Sequence, residues 1–172
     1  MIKQKRGQNK KAAIELSFNM IFSVFLIIVF IAVAVIAIMH FLNIGKTIQT
    51  GTFINDFQAF VDNVWNSAGS ESSVFEALVN QKVQKVCFAD LSKSAKGTKE
   101  NKEIYNGLRR NGENNLYFYP RDSADPQSAY IKHLNITAII KDENPSCFEN
   151  TESIKIFVIK AHYEALVKVS RE

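Results

Sequence analysis

A chain of 172 residues has room for one compact domain beside any membrane segment. It is 47% hydrophobic with a formal charge of +4, and both properties are unevenly placed. Lys3, Lys5, Arg6, Lys10 and Lys11 stand against Glu15 alone near the start, while the rest is charge-balanced. That distribution excludes a nucleic-acid-binding surface on the main domain.

Residues 1–11 therefore read as a basic leader. Behind it, Leu16 to Met39 supplies 24 residues without a charge. A bilayer core of about 30 Å needs roughly 20 apolar residues at 1.5 Å each. Between Met20 and Met39, Ile, Leu, Val and Phe fill 14 positions. At about −0.3 to −0.6 kcal/mol apiece, they favour insertion by roughly 4 to 8 kcal/mol. Ser17, Asn19 and Ser23 oppose insertion only near one end. A cleaved secretory signal instead has an apolar core of about 7–15 residues ending in a small-x-small site. Here Ala32-Val33-Ala34 lies inside the apolar run, so residues 12–42 are predicted to stay in lipid. Basic residues stay cytoplasmic, which puts the N-terminus on the cytoplasmic side of the cell membrane and Asn43 to Glu172 outside.

Phe53, Phe57, Phe60, Val61 and Val64 follow the i, i+4, i+7, i+8, i+11 spacing of an amphipathic helix over 43–66. Gly45 and Gly51 each weaken helical continuity by roughly 1 kcal/mol against Ala. Two forms follow: one long bent helix from about Ala12 to Asn66, or two helices jointed near Gly45–Gly51. The serine-rich run Ser67 to Ser73 predicts a loop.

Strand signals fill residues 67–172. Val83 to Phe88 is short and β-prone, and Leu116, Tyr117, Phe118 and Tyr119 precede Pro120. Ser92 to Glu103 reads as a Lys-rich surface loop, and Arg121 to Gln127 as a turn. Alternation predicts a strand over Ile131 to Ile140 and another over His162 to Ser170, the latter with Tyr163, Ala165, Val167 and Val169 inward. Ile154 to Lys160 is apolar on both faces and reads as a central strand. The expected class is α+β: a long N-terminal helix packed on a four- to five-stranded antiparallel sheet.

Cys87 and Cys147, the only cysteines, both fall in the outward region, where disulfides persist. A bridge would close a loop of about 60 residues, worth about 4 kcal/mol by chain entropy. The alternative is two separate buried thiols, or a reversed topology. Structural zinc wants four ligands, and two cysteines without a histidine pair do not supply them. His40, His133 and His162 have no metal-ligand spacing, and no catalytic motif occurs. The chain is read as a non-enzyme without cofactor or metal. Asn135-Ile136-Thr137 is a glycosylation sequon on the polar face of a predicted strand. Trp65, at the edge of the helix stripe, reads as core.

The stretch Ala12-Ala13-Ile14-Glu15-Leu16, opening the apolar helix behind a basic leader, resembles the N-terminus of archaeal type IV pilin-like proteins with class III signal peptides. The resemblance implies cleavage by a prepilin peptidase on the cytoplasmic side. With Glu15 as the fifth mature residue, the cut falls between Lys10 and Lys11. Arg6-Gly7-Gln8 is similar to the family's cleavage region, and a cut before Gln8 makes Glu15 the eighth. It also implies a subunit that assembles with its own copies or pilin-like neighbours through the apolar helix. Glu15 then pairs with a neighbour's N-terminal amine and sets the stagger, because an unpaired charge in an apolar bundle is costly. Alternatively, Glu15 sits in the first helical turn at the membrane surface, favoured by the macrodipole by roughly 0.3–1 kcal/mol. Glu15, Asn19 and Ser23 are spaced i, i+4, i+8, a polar stripe suited to helix association. The motifs Val86-Cys87-Phe88, Tyr119-Pro120 and Asn144-Pro145-Ser146-Cys147 resemble those of single-pass membrane proteins of small-genome archaea, a group carrying no established activity. Two functions follow as expectations: a pilin-like structural or interaction protein, or a monomeric membrane-tethered binding domain.

Overall fold

The computed structural model describes residues 12–108 and 113–171, without the side chains of 12–19 and 42–47. Helix α1 covers Ala12–Asn66, so helical backbone is assigned through both Gly45 and Gly51. The chain divides into two compact units, Met1–Asn43 and Ile44–Glu172.

In the first unit, Met20–Phe41 is a 22-residue stretch of mean hydropathy 3.4, none of it buried within the protein. This helix is long and apolar enough to cross a membrane.

The second unit begins with the rest of α1. Phe53, Phe57, Val61 and Val64 are buried, as their helical spacing requires. The strands form two antiparallel sheets. One holds β1 (Glu71–Ala77), β6 (Ile154–Lys160) and β7 (Lys168–Ser170) in the order β1-β6-β7. The other holds β2 (Lys85–Phe88), β3 (Leu116–Tyr119), β4 (Ser128–Ala129) and β5 (Ser146–Glu149) in the order β4-β3-β2-β5. The α+β class is as expected, and β6 is central in its sheet. Among the described residues the seven strands are split three and four, however, rather than gathered into one sheet of four to five.

Aromatic side chains tie the helix to both sheets. Phe57 meets Phe75 of β1 at 5.1 Å between ring centres and Phe88 of β2 at 5.6 Å. Phe53 meets Phe75 at 5.6 Å and Phe118 of β3 at 5.7 Å, both edge-on. Each such pair contributes about 0.5–1.5 kcal/mol beyond area burial. One core results, completed by Ile154, Ile156 and Val158 of β6.

The second sheet also has a covered outer face. Helix α2 (Lys99–Gly107) lays Ile104 against Cys87, Tyr117 and Cys147. The polar composition of Ser92 to Glu103 hides this helix in the sequence. A reciprocal cap starts it: Asn101 N–H donates to the Thr98 hydroxyl, and Thr98 N–H donates to Asn101 Oδ1 at 3.1 Å.

Three local expectations are corrected. Residues 131–140 do not form a strand: His133 takes φ +66°, and Asn135 caps a one-turn helix, α3 (Ile136–Ile139), by accepting from Ala138 N–H. Of residues 162–170, only Lys168–Ser170 is strand, and Tyr163 is 96% exposed rather than inward. The serine-rich loop after α1 is short, because β1 already begins at Glu71.

Candidate binding cleft and membrane-helix positions

A cleft of about 900 Å³ opens in the Ile44–Glu172 unit between the outer face of the three-stranded sheet, α2 and the edge of β5. Its apolar floor is the cross-strand pair Val74 and Phe157. Beside that pair, Glu76 and Lys155 face each other at 3.5 Å. Hydrogen bonding from the Ser153 hydroxyl, then the Lys155 charge, holds the Glu76 carboxyl below its ordinary range.

Lys85 governs the opposite wall. Its ammonium donates to Glu100 of α2 and lies 3.2 Å from Glu149 of β5. The side chain is only 17% exposed, and the Glu100 hydrogen bond raises its pKa above that of a free lysine. The same bond lowers that of Glu100. One cation thus pins a helix and a strand edge together.

At one end of the cleft, Arg171 Nη2 donates to Glu143 at 2.7 Å, and its Nε donates to the Cys147 carbonyl at 3.0 Å. Asn144, 1% exposed, anchors the chain leading into β5. Its amide nitrogen donates to the carbonyls of Asp90 and Ser94 at 3.0 and 3.1 Å. Its Oδ1 accepts from Asp90 N–H at 3.2 Å.

Cys87 and Cys147 are disulfide-bonded, Cα to Cα 4.0 Å, as directly opposed residues of β2 and β5. Asn135 is half-buried and occupied as a helix cap. Trp65 is also half-buried, stacked on His133 at 3.8 Å and donating to the Ala165 carbonyl at 2.9 Å. Asp62 Oδ1 lies 3.7 Å from His133 Nε2. Among the described residues, no three His, Cys, Asp or Glu side chains are grouped to hold a metal ion.

Helix α1 includes positions 15, 19 and 23. Ser23 lies on the exposed apolar span, while the side chains of Glu15 and Asn19 lie outside those described. Gly7, Gln8, Lys10 and Lys11 also lie outside the described residues. The polar stripe and the cleft belong to different units.

Sequence reasoning did not single out the cleft. Its charged residues look like ordinary solvated positions until β5, β6 and α2 are placed together. No protein-family model matches the chain, and no curated protein or solved structure matches it.

Proposed function

We propose that this chain is a membrane-anchored structural or interaction protein of pilin-like build. Met20–Phe41 serves as the anchor, the basic leader stays cytoplasmic, and the disulfide-closed unit faces outward. The observation that carries this is the wholly exposed 22-residue apolar span preceding a disulfide-bearing unit. Apolar surface on that scale is stable only in lipid or against other apolar helices. The Glu15-Asn19-Ser23 spacing supports association with like helices in the membrane. A second reading, a monomeric tethered binding domain, is favoured by the cleft between α2 and the sheets.

The two readings separate on the native protein extracted from membranes, by N-terminal sequencing and in-membrane crosslinking. Filament-type processing gives a mature end at Lys11 or Gln8 and a crosslinked ladder that Glu15→Leu shortens. An intact Met1 with only monomer after crosslinking selects the tethered domain. Recovery of the intact chain in the detergent-free aqueous fraction overturns both.

A further inference from the structure

The free edge of β5 faces the cleft with backbone hydrogen-bonding groups to spare. The phase of the β2–β5 ladder establishes this. Asn150 N–H donates to the Gln84 carbonyl at 2.8 Å, one step beyond the Lys85–Glu149 pair. Antiparallel pairs alternate between bonded and non-bonded, so Val86–Phe148 is bonded while Lys85–Glu149 and Cys87–Cys147 are not. The N–H and C=O of Cys147 and Glu149 therefore turn away from β2. Two other contacts agree with this phase. Ala89 N–H donates to the Asn115 carbonyl at 3.1 Å on the β3 side, and Arg171 Nε reaches the outward Cys147 carbonyl. Among the described residues, the Cys147 N–H and both Glu149 backbone groups have no other partner.

We propose that this edge takes up an extended segment of a partner polypeptide, adding it to β5 as a further strand. Main-chain bonds to the Cys147 N–H and to both Glu149 groups would give the segment its register, and alternate side chains would give it selectivity. The side-chain chemistry follows from the lining. One side of the added strand meets Val74 and Phe157, which call for an apolar side chain. The rim carries five carboxylates, Glu76, Glu100, Glu143, Glu149 and Glu152, against Lys85, Lys155 and Arg171. Each of those three cations already has a carboxylate partner, whereas Glu152 has no ion pair among the described residues. The surplus is negative, so the matching segment alternates basic and apolar residues. This goes beyond anchoring and assembly and does not depend on them, since a chain that never assembles still presents the edge.

The test uses the full chain in nanodiscs of zwitterionic phosphatidylcholine, with a fluorescein-labelled Lys-Val-Lys-Val-Lys-Val-Lys peptide as probe. Saturable micromolar binding is expected, and none of a Glu-Val counterpart. Methylating every second backbone amide of the probe, in each of the two phases, should weaken binding at least tenfold in one phase. Glu149→Lys, at a side chain 69% exposed, should also weaken it tenfold or more. The proposal is overturned if the lysine probe shows no saturable binding, if both methylated probes bind like the parent, or if Glu149→Lys leaves affinity unchanged.

Discussion

Asn144 shows what one side chain can do when its amide is fully used. It joins the segment entering β5 to Asp90 and Ser94, residues at least 50 positions earlier in the chain. Asn144→Ala removes the partner of the half-buried Asp90 carbonyl and N–H and of the carbonyl of exposed Ser94, each costing about 1–3 kcal/mol where water does not replace it. Allowing for partial rescue by water, the full chain should lose about 2–4 kcal/mol in denaturant titration, whereas Asn150→Ala, at a half-buried site, should lose less. A loss under about 0.5 kcal/mol, the scale of an ordinary surface change, would show that the anchor is dispensable. The Asn144-Pro145-Ser146-Cys147 motif was visible in the sequence, but its job was not. Local spacing reports which residues share a face, and it carries no record of partners 54 positions away. Phe53, Phe57 and Val61 were legible for the converse reason, because their burial follows from helix geometry alone.

Elements were legible where one period dominates. The helix stripe after Gly51 and the doubly apolar β6 were both read from pattern. Residues 131–140 failed because alternation alone ignores capping: Asn135 accepting from Ala138 N–H is a local bond that a strand cannot make. Helix α2 failed because it is short and polar overall, with Ile104 its one buried apolar side chain. Its position depends on charge instead, through Lys85 and Glu100. The lowered Glu100 carboxyl contributes stability at neutral pH that is lost as pH falls through its folded-state value. The raised Lys85 ammonium contributes below the ordinary lysine value, and that contribution is lost as pH rises through its folded-state value. Protection of α2 amides, corrected for intrinsic exchange, should therefore hold near neutrality and fall as the pH drops below the ordinary glutamate value of about 4.3. Lys85→Met should lower the neutral plateau and flatten that acid limb. An unchanged acid limb in Lys85→Met would assign the loss to other carboxylates.

At the scale of the whole molecule, the sequence allowed the α+β class but not the division into two sheets. β1 pairs with β6 from Glu71↔Lys160 to Ala77↔Ile154, a partnership of distant segments that local alternation cannot reveal. The disulfide works on the same distant scale. Joining residues 60 positions apart, it encloses α2, β3, β4 and α3 in one covalent loop. The chain-entropy effect of such a loop is about 4 kcal/mol, so Cys87→Ala with Cys147→Ala should lower stability by up to that amount. The redox state of the same pair in cells tests the proposed outward topology. A cytosolic thiol pool keeps such a pair reduced, whereas outside the cell it persists. Native cells quenched with N-ethylmaleimide under denaturing conditions should therefore show neither cysteine alkylated until a reductant is added. Alkylation of both before reduction would place the Ile44–Glu172 unit on the cytoplasmic side. The basic leader would then lie across the membrane from it, against the direction that its own lysines favour.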